Sequence, residues 1–322
     1  MILYQWRGRY ANFGDELNSL LWPRLLPGFF DTDPAVHFLG IGSVLDGRHP
    51  AAGLKLVAGA GYGGYEPPPR LDANWIIHWV RGPLTARCLG LAPALGLGDP
   101  AALLPLAGVP TGSRGDCIGF MPHFESLEFG AWARAAAAAG ITLIDPRLDV
   151  QSVIAAIRSC RVLLSEAMHG VIVADALRVP WVAIEPLAAV HRPKWLDWAD
   201  TIGLEIAFRR LPASSLSEWM QVSGLASFHT GRRLLHHLGG RLGPVAADRL
   251  VQRAAAALRQ AAAATPQLSS DTALHRSQDR MMAALRRLRL APLTQPNDSP
   301  MRSDLHGCVD SAYHPVSDRL TA

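Results

Sequence analysis

The feature that most constrains this chain is a rhythm. Over its first 220 residues, short apolar runs of strand length alternate with segments of helical spacing. A parallel α/β sheet demands that alternation, because each parallel strand needs a crossover that returns the chain and covers the sheet. "ILYQW" (2–6), "VHFLGIGSVL" (36–45), "LKLVAGAGYGG" (54–64) and "NWIIHWVRG" (74–82) read as strands, most of them running into glycines, with helices over Asp15–Leu26 and Pro83–Cys88. "GVPTGSRGD" (108–116) interrupts the pattern, and it then restarts. "CIGFMPHF" is a strand, 126–139 a helix, "ITLID" a strand and 149–159 a helix. A strand at 162–164, a helix over Gly170–Leu177 and the strand "WVAI" follow. The expected fold class is therefore α/β, with two Rossmann-like domains, 1–110 and 111–222, facing a cleft. Ligands of such sheets bind beyond the carboxyl ends of the strands. Past residue 222 the strands stop, and 245–264 and 279–290 read as helices, so 223–322 is expected to be a helical basic extension with a loose tail.

Composition narrows the class. In 322 residues, 49% are hydrophobic and 18% charged, enough apolar surface for a real core and too little charge for a disordered chain. The net charge of +4 is uneven: residues 222–322 carry 13 Arg against 7 Asp, leaving the rest slightly acidic. No aromatic residues are interleaved with those arginines, so nucleic acid is not an expected partner. The opening "MILYQWRGRY" has neither the basic segment nor the apolar run of a signal peptide, and no stretch has the length and apolarity of a membrane span. Four cysteines without CxxC spacing read as reduced thiols, so the expected location is cytoplasmic.

Polar residues stand out at strand ends. In "YANFGDELN", Asp15 suits a helix N-cap, but Asn12, Glu16 and Asn18 cluster on the same corner, which a cleft-lining loop explains better. Arg81 ends an apolar strand just before Gly-Pro, where a guanidinium beside helix amides makes an anion clamp; a surface ion pair is the plain alternative. In "SEAMHGVIVADA", Glu166 and His169 sit where a strand stops and a helix begins, and Gly170 lets a ligand approach the backbone. A lone histidine is more often structural, yet at this corner an imidazole can bind an anion and move a proton. "HRPKWLDW" adds Arg192 and Lys194, and Trp195 and Trp198 share a helical face suited to packing or to a sugar ring. His123 and Asp99 are further polar points on strand-end loops. GxxxxGK[ST], a complete GxGxxG, GxSxG and metal-ligand spacing are all missing.

Taken in order, "NFGDELN", "VRGPLTA" with "GDPAALLP", "MPHFES", "EAMHGVIVADALRVPWVAI" and "KWLDW" resemble the polysaccharide pyruvyl transferase family, of the bacterial exopolysaccharide ketal-pyruvate type known for succinoglycan and xanthan. The likeness runs from residue 1 to about 210. It implies a fold similar to glycosyltransferase type B and transfer of the enolpyruvyl group of phosphoenolpyruvate to two hydroxyls of one sugar, giving a cyclic ketal and phosphate. Phosphoenolpyruvate is then a co-substrate, with no cofactor or metal. Arg81 and His169 match the family's donor-binding arginine and histidine, His169 also its proton-transfer group, and Met168 a backbone donor contact. Ala167 stands where some relatives carry a second arginine, so Arg192, Lys194 or another segment has to supply that charge. The implied acceptor is a lipid-linked oligosaccharide at the inner face of the cytoplasmic membrane. Arg232, Arg233, Arg286, Arg287 and Arg289 could then rest on anionic headgroups, or simply form a solvated face. A sugar-nucleotide glycosyltransferase and a non-catalytic assembly scaffold are the competing expectations.

Overall fold

A computed structural model of the chain describes residues 1–187, 191–222 and 244–293. It contains two four-stranded sheets, both wholly parallel. The first holds β1 (Ile2–Tyr4), β2 (Val36–Leu39), β3 (Leu54–Ala58) and β4 (Trp75–Trp79) in the order β1-β2-β3-β4. The second holds β5 (Cys117–Met121), β6 (Thr142–Leu143), β7 (Cys160–Ser165) and β8 (Trp181–Ala183) in the order β6-β5-β7-β8. β4 is buried along its whole length and β7 almost so, as expected of parallel strands covered on both faces. The strands stop short of the expected ranges because the glycines at their ends are taken into close packing. A Cβ on Gly40, for example, would lie 2.0 Å from the Trp22 indole nitrogen.

The helices follow their capping signals. α1 (Phe13–Leu25) begins two residues earlier than expected, so Asn12 occupies the N-cap position and Asp15 lies inside the first turn. α2 is Pro83–Cys88, with proline in its first turn. The single helix expected over 126–139 is two, α3 (Phe124–Phe129) and α4 (Trp132–Ala139). The break falls at Gly130, whose extended backbone brings the Trp132 ring so close that a Cβ would be 2.5 Å from it. α5 (Val150–Arg158) is capped by Asp149, whose carboxylate accepts from Ser152 N at 3.0 Å. α6 (Met168–Ala176), α7 (Arg192–Thr201) and α8 (Leu216–Val222) complete the second block.

One buried apolar cluster joins the two sheets. It includes Phe38, Leu56 and Trp79 from the first and Met121, Leu163 and Trp181 from the second, linked through α1, α6 and a 3-10 helix over Pro100–Ala107. The C-terminal helices are built into these layers. α9 (Pro244–Ala262) packs on α4, where Ala135, Ala136, Ala254 and Ala255 are buried; small side chains let the two axes approach. α10 (Asp271–Leu290) returns to the first block, donating from Ser277 Oγ to Leu97 O (2.9 Å) and from Gln278 Nε2 to Ala102 O (2.8 Å). It starts eight residues before the expected 279, capped by Ser270. Arg286, Arg287 and Arg289 are exposed on α10, whereas Arg232 and Arg233 lie outside the described residues. Trp195 and Trp198 are buried at 0% and 2% exposure, so both pack inward and neither offers a face to a sugar.

α7 is tied to the first sheet by charge. The buried carboxylate of Asp197 accepts from Arg81 Nε (3.1 Å), Leu84 N (2.8 Å), Thr85 N (3.0 Å) and Thr85 Oγ1 (2.5 Å). It thereby caps α2 from a helix more than 110 residues away. Removing one partner from a buried ion pair strands the other charge, at a cost of about 3–5 kcal/mol. Asp197→Ala is expected to lower the unfolding free energy by about that amount in a urea titration, with Arg81→Ala close behind.

Candidate functional site

β7 ends at Ser165, and three residues later the chain is helical. α6 begins without a side-chain cap and without an acid in its first turn. Its N–H groups from Gly170 and Val171 return to Ala167 O, while the Ala167 N–H ahead of the helix donates to Ser165 Oγ at 3.1 Å. Such an N terminus carries the positive end of the helix dipole and suits an anion. His169 is the second helical residue. Its Nε2 lies 3.4 Å from Asp99 Oδ2 without the alignment of a hydrogen bond, and both atoms are buried with no other hydrogen-bond partner among the described residues. Asp99 is held there because its Oδ1 caps the Pro100–Ala107 helix through Ala101 N at 3.0 Å. On the other side the imidazole lies against α1. A Cβ on Gly14 would be 2.0 Å from His169 Nδ1, so only glycine lets α1 approach this closely. An imidazole gripped between a carboxylate and a helix start is placed to transfer a proton.

The first turn of α1 supplies the facing wall. Asp15 is buried, accepts from Asn12 Nδ2 at 2.7 Å and lies against Gly42. Burial pushes its carboxyl above the usual range, while His169, Asn12 and Lys194 oppose the shift. The expected N-cap role of Asp15 gives way to a place inside the first turn, bonded to Asn12 and within the field of His169 and Lys194. Glu16 is half-buried in the same turn. Asn18 does not line the cleft. It is fully buried, bonded to Ile41 O, Asp15 O, Ile41 N and Trp22 Nε1, and clamps α1 to the loop after β2.

A second cluster adjoins the first. Glu125 Oε2 lies 3.4 Å from His123 Nδ1 and 3.3 Å from His191 Nε2, and the two rings stack at 4.7 Å between centroids. His191 Nδ1 meets Tyr65 Oη at 2.8 Å, and Lys194 Nζ donates to the same phenol at 3.1 Å. Among the described residues, His123, Glu125 and His191 bring their donor atoms within 4.8 Å of one another, a nitrogen and oxygen set that a divalent ion could accept. Burial lowers the His191 pKa to about 4 despite Glu125, and the two histidines hold Glu125 well below the usual carboxylate range. Tyr65, Glu125 and His191 were not visible as site residues in the sequence. They lie up to 126 positions apart, and no periodicity connects them.

Several expected site residues sit behind the lining rather than on it. Arg81 is fully buried, its guanidinium engaged by Asp197, by Ser43 Oγ (2.9 Å) and by Tyr62 O (2.8 Å) and packed against Gly61. The open anion clamp expected there is corrected to a buried pair that holds the loops after β2 and β3. Glu166 is buried as well, its oxygens taken by His123 N, Ser126 Oγ and Leu187 N, so it frames two strand-end loops. Gly170 serves packing, since a Cβ there would be 2.6 Å from Met121 Sδ, and the Met168 side chain belongs to the core. Arg192 turns to Glu185 at 3.0 Å. Lys194, the other cation on α7, donates to Tyr65 Oη.

The cluster carries a pH signature. His191 titrates near 4 when folded and near 6.5 when unfolded, so the unfolded chain binds more protons between those values. Its stabilising contribution is present above pH 6.5 and lost as the pH falls toward 4; Glu125 adds a loss below its unfolded value of 4.5. Urea titrations at pH 7 and pH 4.5 are expected to differ less for His191→Gln than for the native chain, by roughly 2–3 kcal/mol.

Comparison with known proteins agrees with this geometry. A family model described as polysaccharide pyruvyl transferase matches residues 73–186, which run from the start of β4 to just beyond β8 and include both Arg81 and His169. The succinoglycan biosynthesis protein ExoV of Rhizobium meliloti (strain 1021) is 37% identical over 307 residues, covering 88% of this chain and 96% of that protein. No solved structure matches. The chain belongs to the polysaccharide pyruvyl transferase family, and its activity is pyruvyl transfer.

Proposed function

We propose that the chain transfers the enolpyruvyl group of phosphoenolpyruvate to two hydroxyls of one sugar in an exopolysaccharide repeat unit, closing a cyclic ketal and releasing phosphate. The observation that carries this reading is the uncapped start of α6 with His169 set against Asp99, faced by Asp15 and Lys194. A donor bearing a phosphate and a carboxylate needs positive potential from two directions. The α6 amides and Lys194 supply it, and they stand in for the arginine replaced by Ala167. Succinoglycan in the name of the relative supports an exopolysaccharide acceptor.

Chemistry at this corner proceeds in balanced steps. His169 delivers a proton to the methylene carbon of the donor, leaving an electron-poor carbon that the first hydroxyl attacks, its proton returning to His169. Phosphate then departs with its bonding pair, and the second hydroxyl adds and passes its proton to the released phosphate, closing the ring. Asp99 orients the imidazole and stabilises its protonated form. Arg81 acts by holding the surrounding loops. The cleft between domains 1–110 and 111–222, each with one parallel sheet, belongs to the same proposal, as does a glycosyltransferase B-like arrangement. So do a cytoplasmic location and a lipid-linked acceptor at the inner membrane face, met by the exposed arginines of α10. Among the described residues no helix is long and apolar enough to cross a membrane.

Incubation with phosphoenolpyruvate and a lipid-linked oligosaccharide extract is expected to add a pyruvate ketal, seen by mass spectrometry. His169→Ala should lose about 10²–10⁴ of the rate while keeping its melting temperature. Calorimetry should show binding of phosphoenolpyruvate and none of UDP-sugars, with Lys194→Ala weakening the former at least about tenfold. Full turnover by His169→Ala, or UDP-sugar binding in place of phosphoenolpyruvate, refutes the reading.

A further inference from the structure

A groove of about 490 Å³, within the usual size of small-ligand sites, adjoins the histidine cluster through Glu125. One wall is the loop between β1 and α1, the other α3 and the loop after β8. Its lining combines four aromatic rings, Trp6, Tyr10, Phe124 and Phe129, with Glu125 and Glu128. The rings are held in place. Gly8 lets the Trp6 indole lie directly over the backbone, since a Cβ there would be 2.2 Å from the ring. Tyr10 is approached by the guanidinium groups of Arg9 (5.2 Å) and Arg147 (5.8 Å), the second anchored by Asp145. Arg9 in turn reaches Glu128 at 3.5 Å.

This lining selects a chemistry. Aromatic faces match the C–H faces of a pyranose ring, and ionised carboxylates accept hydrogen bonds from its hydroxyls. Two acids against one arginine disfavour a second anion. The groove shares Glu125 with the histidine cluster. Glu125 lines it and meets His191, which leads through Tyr65 and Lys194 to Asp15 and His169. Leu187 lines it too, and its N–H is held by Glu166, one residue before the cap position of α6.

We infer that this groove is the acceptor subsite, in which Trp6 and Tyr10 carry an uncharged pyranose whose hydroxyls point past Glu125 toward the donor corner. The inference rests on the proposed transfer. Phe124 and Phe129 close the ring in from the opposite wall, and Glu125 and Glu128 fix its rotation through hydroxyl contacts.

The test uses the full chain with lipid-linked oligosaccharide as the acceptor probe. Trp6→Ala and Tyr10→Ala are each expected to raise the acceptor KM at least about tenfold, with the Kd for phosphoenolpyruvate by calorimetry within about twofold of native. Trp6→Phe should restore most of the affinity, which separates a lost stacking face from a damaged fold. An unchanged acceptor KM in both alanine variants overturns the subsite while leaving the proposed reaction standing. Lost phosphoenolpyruvate binding in folded variants also overturns it, by making the groove part of the donor site. A native chain that binds no phosphoenolpyruvate and forms no ketal overturns both.

Discussion

The architecture of the site depends on one buried carboxylate. Asp197 takes donors from Arg81, from two amides opening α2 and from the Thr85 hydroxyl. A charge withdrawn from water is tolerable only when its lone pairs are answered in this way. Satisfying it fixes the orientation of α7, and that helix carries His191 and Lys194 on its opening turn. The lysine reaches Tyr65 and the field of Asp15 because Asp197, three residues further along, is bolted to the end of β4. The pair therefore positions His191 and Lys194 from inside the core.

Hydrogen-bond saturation differs among the buried polar groups here. Asn18, Glu166 and Asp175 are buried with their atoms answered; Asp175, for instance, accepts from Trp181 Nε1 and from Ser269 N and Oγ. Those residues hold loops in register. Asp99 Oδ2 and His169 Nε2 are buried and close, yet lack aligned partners. Unanswered buried polar atoms are costly, and a fold retains them where a ligand or a proton completes the set. Burial in the same place pushes the Asp15 carboxyl above its usual range.

The start of α6 and the aromatic groove share their supports. Glu166 holds the loop after β5 with one oxygen and the loop after β8 with the other, and its chain continues into α6. Glu125 touches the two histidines on one side and the aromatic groove on the other. A two-substrate transfer needs the reacting groups held at fixed separation, and shared rigid walls supply that fixity.

What could be read directly from the chain was local. Alternating apolar runs announced two parallel α/β blocks, because burial on both sheet faces leaves its mark in consecutive Val, Leu and Ile residues. His169 was legible because a titratable ring at a strand-to-helix corner is conspicuous in an otherwise apolar segment. Asp99 was visible as a polar point, though its partner was not. Tertiary structure decided the rest. It buried Arg81, turned Arg192 away, split a helix at Gly130, and folded α10 back onto residues about 180 positions earlier. It also assembled Glu125 with His191 and Trp6 with Phe124. Periodicity reports which face of an element is apolar, whereas the partner of a buried charge is chosen by packing between distant segments, which leaves no spacing to read.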